Sequence, residues 1–82
     1  MTLEQRLDAV EGQIRSTLQH LGRGREEVTL VVVTKNHPVD LAVELYGLGI
    51  RDFGENRDQE AAPKASEFAR LVSGSKPTWH FV

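Results

Sequence analysis

The run Val28-Thr29-Leu30-Val31-Val32-Val33-Thr34 constrains this chain more than any other stretch. β-Branched side chains fit a pleated ladder, and a run apolar at both alternating sets of positions predicts a strand covered on both faces, the composition of a parallel sheet. The expected strand spans residues 28–35 and ends on Lys35. Pro38 suits the first position of a following helix, with His37 as its N-cap. An apolar strand that leads through a short loop into a helix is the opening of a βα unit.

The flanking periodicities agree with that unit. Leu3, Leu7, Val10, Ile14, Leu18 and Leu21 recur at spacings of three and four, predicting an amphipathic helix over residues 2–21. Thr2 and Gln5 fit a capping box, and Gly22 sits where a left-handed terminating residue is wanted. Glu4, Arg6, Asp8, Glu11 and Arg15 form the opposite, solvated face, so the helix must dock on something. Leu41, Ala42, Leu45 and Leu48 give a second helix over 38–48, ended by Gly47 and Gly49. A short strand is expected at 50–53 and a helix at 56–71, broken at Pro63, which removes a donor and disfavours a helical Ala62. A third strand is expected at 78–82. Alternating helices and strands with short connections predict right-handed βαβ units and a parallel α/β sheet. With two aromatics and a Val at its last positions, the chain is expected to be the N-terminal part of a longer α/β protein.

Composition narrows the function classes. Ten Lys plus Arg against twelve Asp plus Glu leave a formal charge of −2, no basic field for a nucleic-acid backbone or an anionic membrane surface. Cys is absent, which removes a disulfide scaffold, a thiolate metal site and a cysteine nucleophile. No apolar run approaches a membrane span, and the chain is of a cytoplasmic type. The three His have no metal-ligand spacing. No G-x-S-x-G elbow, P-loop or dinucleotide fingerprint is present.

Lys35 stands out on chemistry. Alternation places it on the face of Val31 and Val33, so an apolar strand face finishes in an amine at the carboxyl end, where such folds bind ligands. Desolvation beside that face lowers an amine's pKa and frees the lone pair that attacks an aldehyde. The competing reading is a strand-end Lys that snorkels into water. Asn56, after Phe53-Gly54-Glu55, could bond a ligand or cap the next helix. His80 alternates to the face opposite Trp79 and Phe81, and a packed, hydrogen-bonded histidine competes with a functional one.

Three stretches together resemble one family. Thr34-Lys35-Asn36-His37-Pro38, Phe53-Gly54-Glu55-Asn56-Arg57-Asp58-Gln59-Glu60 and Trp79-His80-Phe81-Val82, in that order, are similar to the pyridoxal-phosphate homeostasis proteins of the YggS/PROSC type. The resemblance implies a TIM-type (β/α)8 barrel of the alanine-racemase-like class, of which 1–82 is the N-terminal part of a single domain. It implies pyridoxal 5′-phosphate held as a Schiff base on Lys35, with Asn56 and His80 near the cofactor and Trp79 on a strand lining the same mouth. Such proteins carry or buffer the cofactor rather than turn over a substrate, and their partners would be the cofactor and the apo-enzymes that require it. A complete barrel takes roughly 200–250 residues, and the phosphate-binding loops near its last strands are not in this sequence. The alternatives are an amino-acid racemase of the same barrel class, which needs a second proton carrier, and a cofactor-free interaction module. The open sheet edge offers a route to self-association.

Overall fold

A computed structural model describes residues 1–56 and 58–82, with the side chains of 58–60 excepted. Among the described residues three α-helices and a three-stranded sheet alternate along the chain, with a single 3-10 turn (Arg25–Glu27) after the first helix: α1 (Leu3–His20), β1 (Val32–Val33), α2 (Val39–Gly47), β2 (Asp52–Glu55), α3 (Asp58–Leu71) and β3 (Thr78–Phe81). The strands lie in the order β1-β2-β3, and both pairings are parallel. Val32 faces Phe53 and Phe53 faces Trp79, while Val33, Gly54 and His80 form the next row.

Alternation divides the sheet into two faces. Val32, Phe53 and Trp79 point toward the helices and meet Ala42 and Leu45 of α2 and Phe68 of α3. Phe53 is fully buried; its ring centroid lies 5.1 Å from that of Trp79 and 5.8 Å from that of Phe68. Phe68 also meets Trp79 and Tyr46 edge to face, at 5.6 and 5.4 Å. Burial of these rings is the main source of cohesion available to so short a chain. Val33, Gly54 and His80 occupy the other face, where Val33 is 47% exposed.

Helix ends follow local chemistry. Thr2 Oγ1 accepts from the Gln5 amide at 3.1 Å, and Gln5 Oε1 accepts from the Thr2 amide at 2.9 Å, the expected capping box. Gly22, at φ 68°, closes α1: the Arg23 and Gly22 amides return to the carbonyls of Leu18 and Gln19. Gly49, at φ 103°, does the same for α2, sending the Ile50 amide back to Leu45 at 3.0 Å and both side chains into the core.

Several elements depart from the sequence expectations. The strand expected at 28–35 is reduced to Val32–Val33, because the register sets Val32 opposite Phe53 and β2 begins only one residue earlier. Residues 28–30 therefore have no ladder partner among the described residues. The strand expected at 50–53 is shifted to Asp52–Glu55, and Ile50 instead caps α2. The N-cap of α2 is Pro38, not His37. Helix α3 runs through Pro63 rather than breaking there. A proline inside a helix forfeits one bond at a cost of about 3 kcal/mol; here Pro63 faces solvent while Ala61 and Phe68 on the opposite side are buried, so docking outweighs the loss.

The stripe of α1 is only partly used. Leu3 and Leu7 pack against the core and Leu18 is buried, whereas Val10 and Leu21 are exposed. Glu11, expected on a solvated face, is half-buried and bound by Arg25, whose Nε and Nη2 donate to its two oxygens at 2.6 and 3.0 Å. The hydrogen bond from Arg25 holds the Glu11 carboxyl below the usual carboxylate range, against the opposing effect of desolvation.

Candidate functional site

Two of the three candidate residues stand just past the carboxyl ends of adjacent parallel strands, and the third lies one row in on the strand beside them. Lys35 follows β1, Asn56 follows β2, and His80 lies within β3 in the row of Val33 and Gly54. Gly54 lets this row close up: a Cβ there would stand 3.1 Å from Val33 Cγ2 and 3.3 Å from Val82 Cγ1.

Lys35 is exposed, so the desolvation expected for it is not found. The reason is local. The ladder ends where the Thr34 amide donates to the Gly54 carbonyl at 2.9 Å, and the chain then turns, with the His37 amide returning to the Thr34 carbonyl at 3.1 Å. Lys35 and Asn36 are the central residues of that turn, and Asn36 has φ 65°. Positive φ at the third residue of a turn suits Asn, whose side chain tolerates the left-handed region. Lys35 thus stands on a turn beyond the strand rather than against the apolar face.

His80 Nε2 donates to Asp52 Oδ1 at 2.9 Å, both side chains being partly exposed. The imidazole is therefore oriented by a carboxylate on the neighbouring strand, on the face that Lys35's strand shares through Val33. Asn56 is half-buried. Arg57 lies outside the described residues, as do the side chains of Asp58, Gln59 and Glu60 in the same motif. The Trp79 ring is part of the aromatic cluster beneath the helices, on the face opposite His80. Among the described residues no group of three or more His, Cys, Asp or Glu is placed to hold a metal ion, and no helix is long and apolar enough to cross a membrane.

A second cluster lies behind the turn, on the helix side of the sheet. Glu55 and Thr34 are fully buried, and Thr34 Oγ1 donates to Glu55 Oε2. Lys64 of α3 donates from Nζ to the same oxygen at 2.8 Å and to the Thr34 carbonyl at 2.9 Å. Glu55 Oε1 has no partner among the described residues. Sequence reasoning missed this cluster and did not single out Lys64. The signal was present in the alternation: Glu55 is two residues past Phe53, and Thr34 two past Val32, so both fall on the covered face.

A parallel sheet with helices on one face, and a lysine on the turn at its carboxyl edge, defines an α/β βα-repeat chain with its candidate site where such folds place ligands. No protein-family model matches the chain. Proteins named pyridoxal phosphate homeostasis protein do: that of Vibrio alginolyticus is 36% identical over 99% of this chain, and that of Escherichia coli K12 is 38% identical over 93%. The Pongo abelii protein of that name is 47% identical over 65% of the chain. The chain spans about a third of the length of these bacterial relatives, 35% and 32% respectively. Among solved structures, PipY of Synechococcus elongatus PCC7942, described as without PLP, superposes with a TM-score of 0.74 at 33% identity, over 99% of this chain and 32% of PipY. The likeness to pyridoxal phosphate homeostasis proteins read from the three motifs is thus shown along nearly the whole chain.

Proposed function

We propose that this chain is the Lys35-bearing part of a (β/α)8 barrel that carries or buffers pyridoxal 5′-phosphate, without catalytic turnover of its own. The observation that carries the proposal is the placement of Lys35: an exposed amine on an ordered turn at the carboxyl edge of a parallel sheet. The names and identities of the relatives support it. The residues suit the aldehyde end of the cofactor. Lys35 supplies a primary amine, whose condensation with an aldehyde forms a C=N bond and releases one water. Asn56 supplies a hydrogen-bonding group at the same edge, and His80, whose ring is held by Asp52 at the start of β2, supplies one a row further in on the open face. The phosphate end needs donors such as backbone amides at a helix N-terminus, which on this proposal come from other parts of the barrel.

Bound there, the cofactor would supply an electrophilic carbon that exchanges between amines, which suits transfer to apo-enzymes in the cytoplasm. Lys35 would hold it through its side-chain amine, and His80 and Asn56 would orient it. The test is borohydride reduction of the protein incubated with pyridoxal 5′-phosphate, followed by peptide mass analysis. The expected result is added mass at Lys35 and its loss in Lys35→Ala. A reducible adduct of equal stoichiometry in Lys35→Ala would overturn the proposal, and turnover of alanine or serine enantiomers would overturn its non-catalytic part.

A further inference from the structure

We infer that Lys64, paired with buried Glu55, is a positioning residue that sets the turn on which Lys35 is presented. The inference rests on the proposed cofactor role of Lys35 and deepens it. The Thr34 carbonyl belongs to the peptide unit that joins Thr34 to Lys35, and it accepts twice: from the His37 amide at 3.1 Å, which closes the turn, and from Lys64 Nζ at 2.9 Å. Lys64 Nζ also holds Glu55 Oε2 at 2.8 Å, and Thr34 Oγ1 donates to that oxygen. One ammonium on α3 therefore ties together the end of β1 and the end of β2, on the side of the sheet away from Val33 and His80.

The energetics favour a directional role over a stabilising one. Glu55 is fully buried and the Lys64 side chain is only 12% exposed. Burying an ion pair carries a desolvation penalty for each ion, and apolar replacements of similar volume are often as stable or more so. Glu55 Oε1 lacks even a partner among the described residues. What the pair supplies that apolar side chains cannot is a fixed vector onto one carbonyl. The turn lies beyond the ladder: β1 is two residues long and its last ladder bond is made by the Thr34 amide, so Lys64 adds an anchor from α3 to the peptide carrying Lys35.

The test compares the full chain with Lys64→Met, Lys64→Arg and the double variant Glu55→Gln/Lys64→Met. The double variant removes both charges together, so it remains usable if the unpaired carboxylate of Lys64→Met prevents folding. Two readouts are taken on folded protein: amide hydrogen exchange at His37 without cofactor, and the rate of reducible adduct formation at Lys35 with pyridoxal 5′-phosphate. We expect His37 exchange to accelerate at least about tenfold in the Met variants, adduct formation to slow by about tenfold or more, and Lys64→Arg to stay near the parent in both. Unchanged His37 exchange and unchanged adduct rate in the folded double variant would overturn the inference. A parent protein that forms no adduct at Lys35 would instead overturn the proposed function, and the His37 exchange would still decide whether Lys64 sets the turn.

Discussion

The two faces of the sheet differ in how they are held. On the helix side, Phe53, Phe68 and Trp79 interlock and the buried Thr34-Glu55-Lys64 cluster lies among the ends of two strands. On the other side Val33 and Val82 are 47% and 59% exposed, and the cross-strand contact with a defined direction is His80 to Asp52. Cohesion is thus concentrated on one face, while the residues with candidate chemistry belong to the other face or to the turns at its rim. A rigid covered face can hold the backbone of a reactive rim without its own side chains entering the chemistry.

Substitutions break this contrast in a definite order. Phe53→Ala removes the ring at the centre of the aromatic cluster and should cost about 3–5 kcal/mol in denaturant unfolding of the full chain. Lys64→Met leaves a buried carboxylate unpaired and should cost about 3 kcal/mol or more, most of it recovered when Glu55→Gln is added; failure of that recovery would show that the hydrogen bonds rather than the charge carry the loss. On the open face, Gly54→Ala should stay within about 1 kcal/mol, because the groups it meets, Val33 Cγ2 and Val82 Cγ1, are exposed and free to shift. A large loss there would mean that this face is covered as firmly as the other.

The smallest effect belongs to Glu11 on α1. Its carboxyl is held below the usual range by the Arg25 hydrogen bond, so the folded state binds its proton less readily than the unfolded chain does. That contribution is present above the unfolded pKa and is lost as pH falls through the lower folded value. Glu11→Gln should therefore lower the melting temperature slightly at neutral pH, with the difference shrinking in acid and in high salt. A difference that grows in acid would contradict the assigned direction.

Much of the architecture is local in origin and was legible for that reason. The capping box of Thr2 and Gln5, the left-handed Gly22 and the 3–4 spacing of α1 depend on neighbours within one or two turns. Where local signals failed, distant partners had intervened. The Val-rich run carries strand propensity over all of residues 28–34, yet ladder bonds require a partner, and β2 offers only four residues. Pro63 carries a break signal that burial of Ala61 and Phe68 outweighs. Lys35 was expected against an apolar surface, but the turn closed by His37 begins one residue too early for that.

The candidate site divides in the same way. Lys35, Asn56 and His80 were recognisable because their motifs are contiguous in sequence, and the similarity to pyridoxal phosphate homeostasis proteins rests on those stretches. Lys64 was not, since its partners lie 9 and 30 positions away.

The order of elements, their amphipathic faces and the helix termini were determined by the amino-acid sequence itself, because periodicity and capping act over a few residues. Strand length, the exposure of Lys35 and the burial of Glu55 against Lys64 were decided only in the tertiary structure. Each depends on which remote group arrives to share a hydrogen bond or exclude water, and short-range pattern carries no information about that.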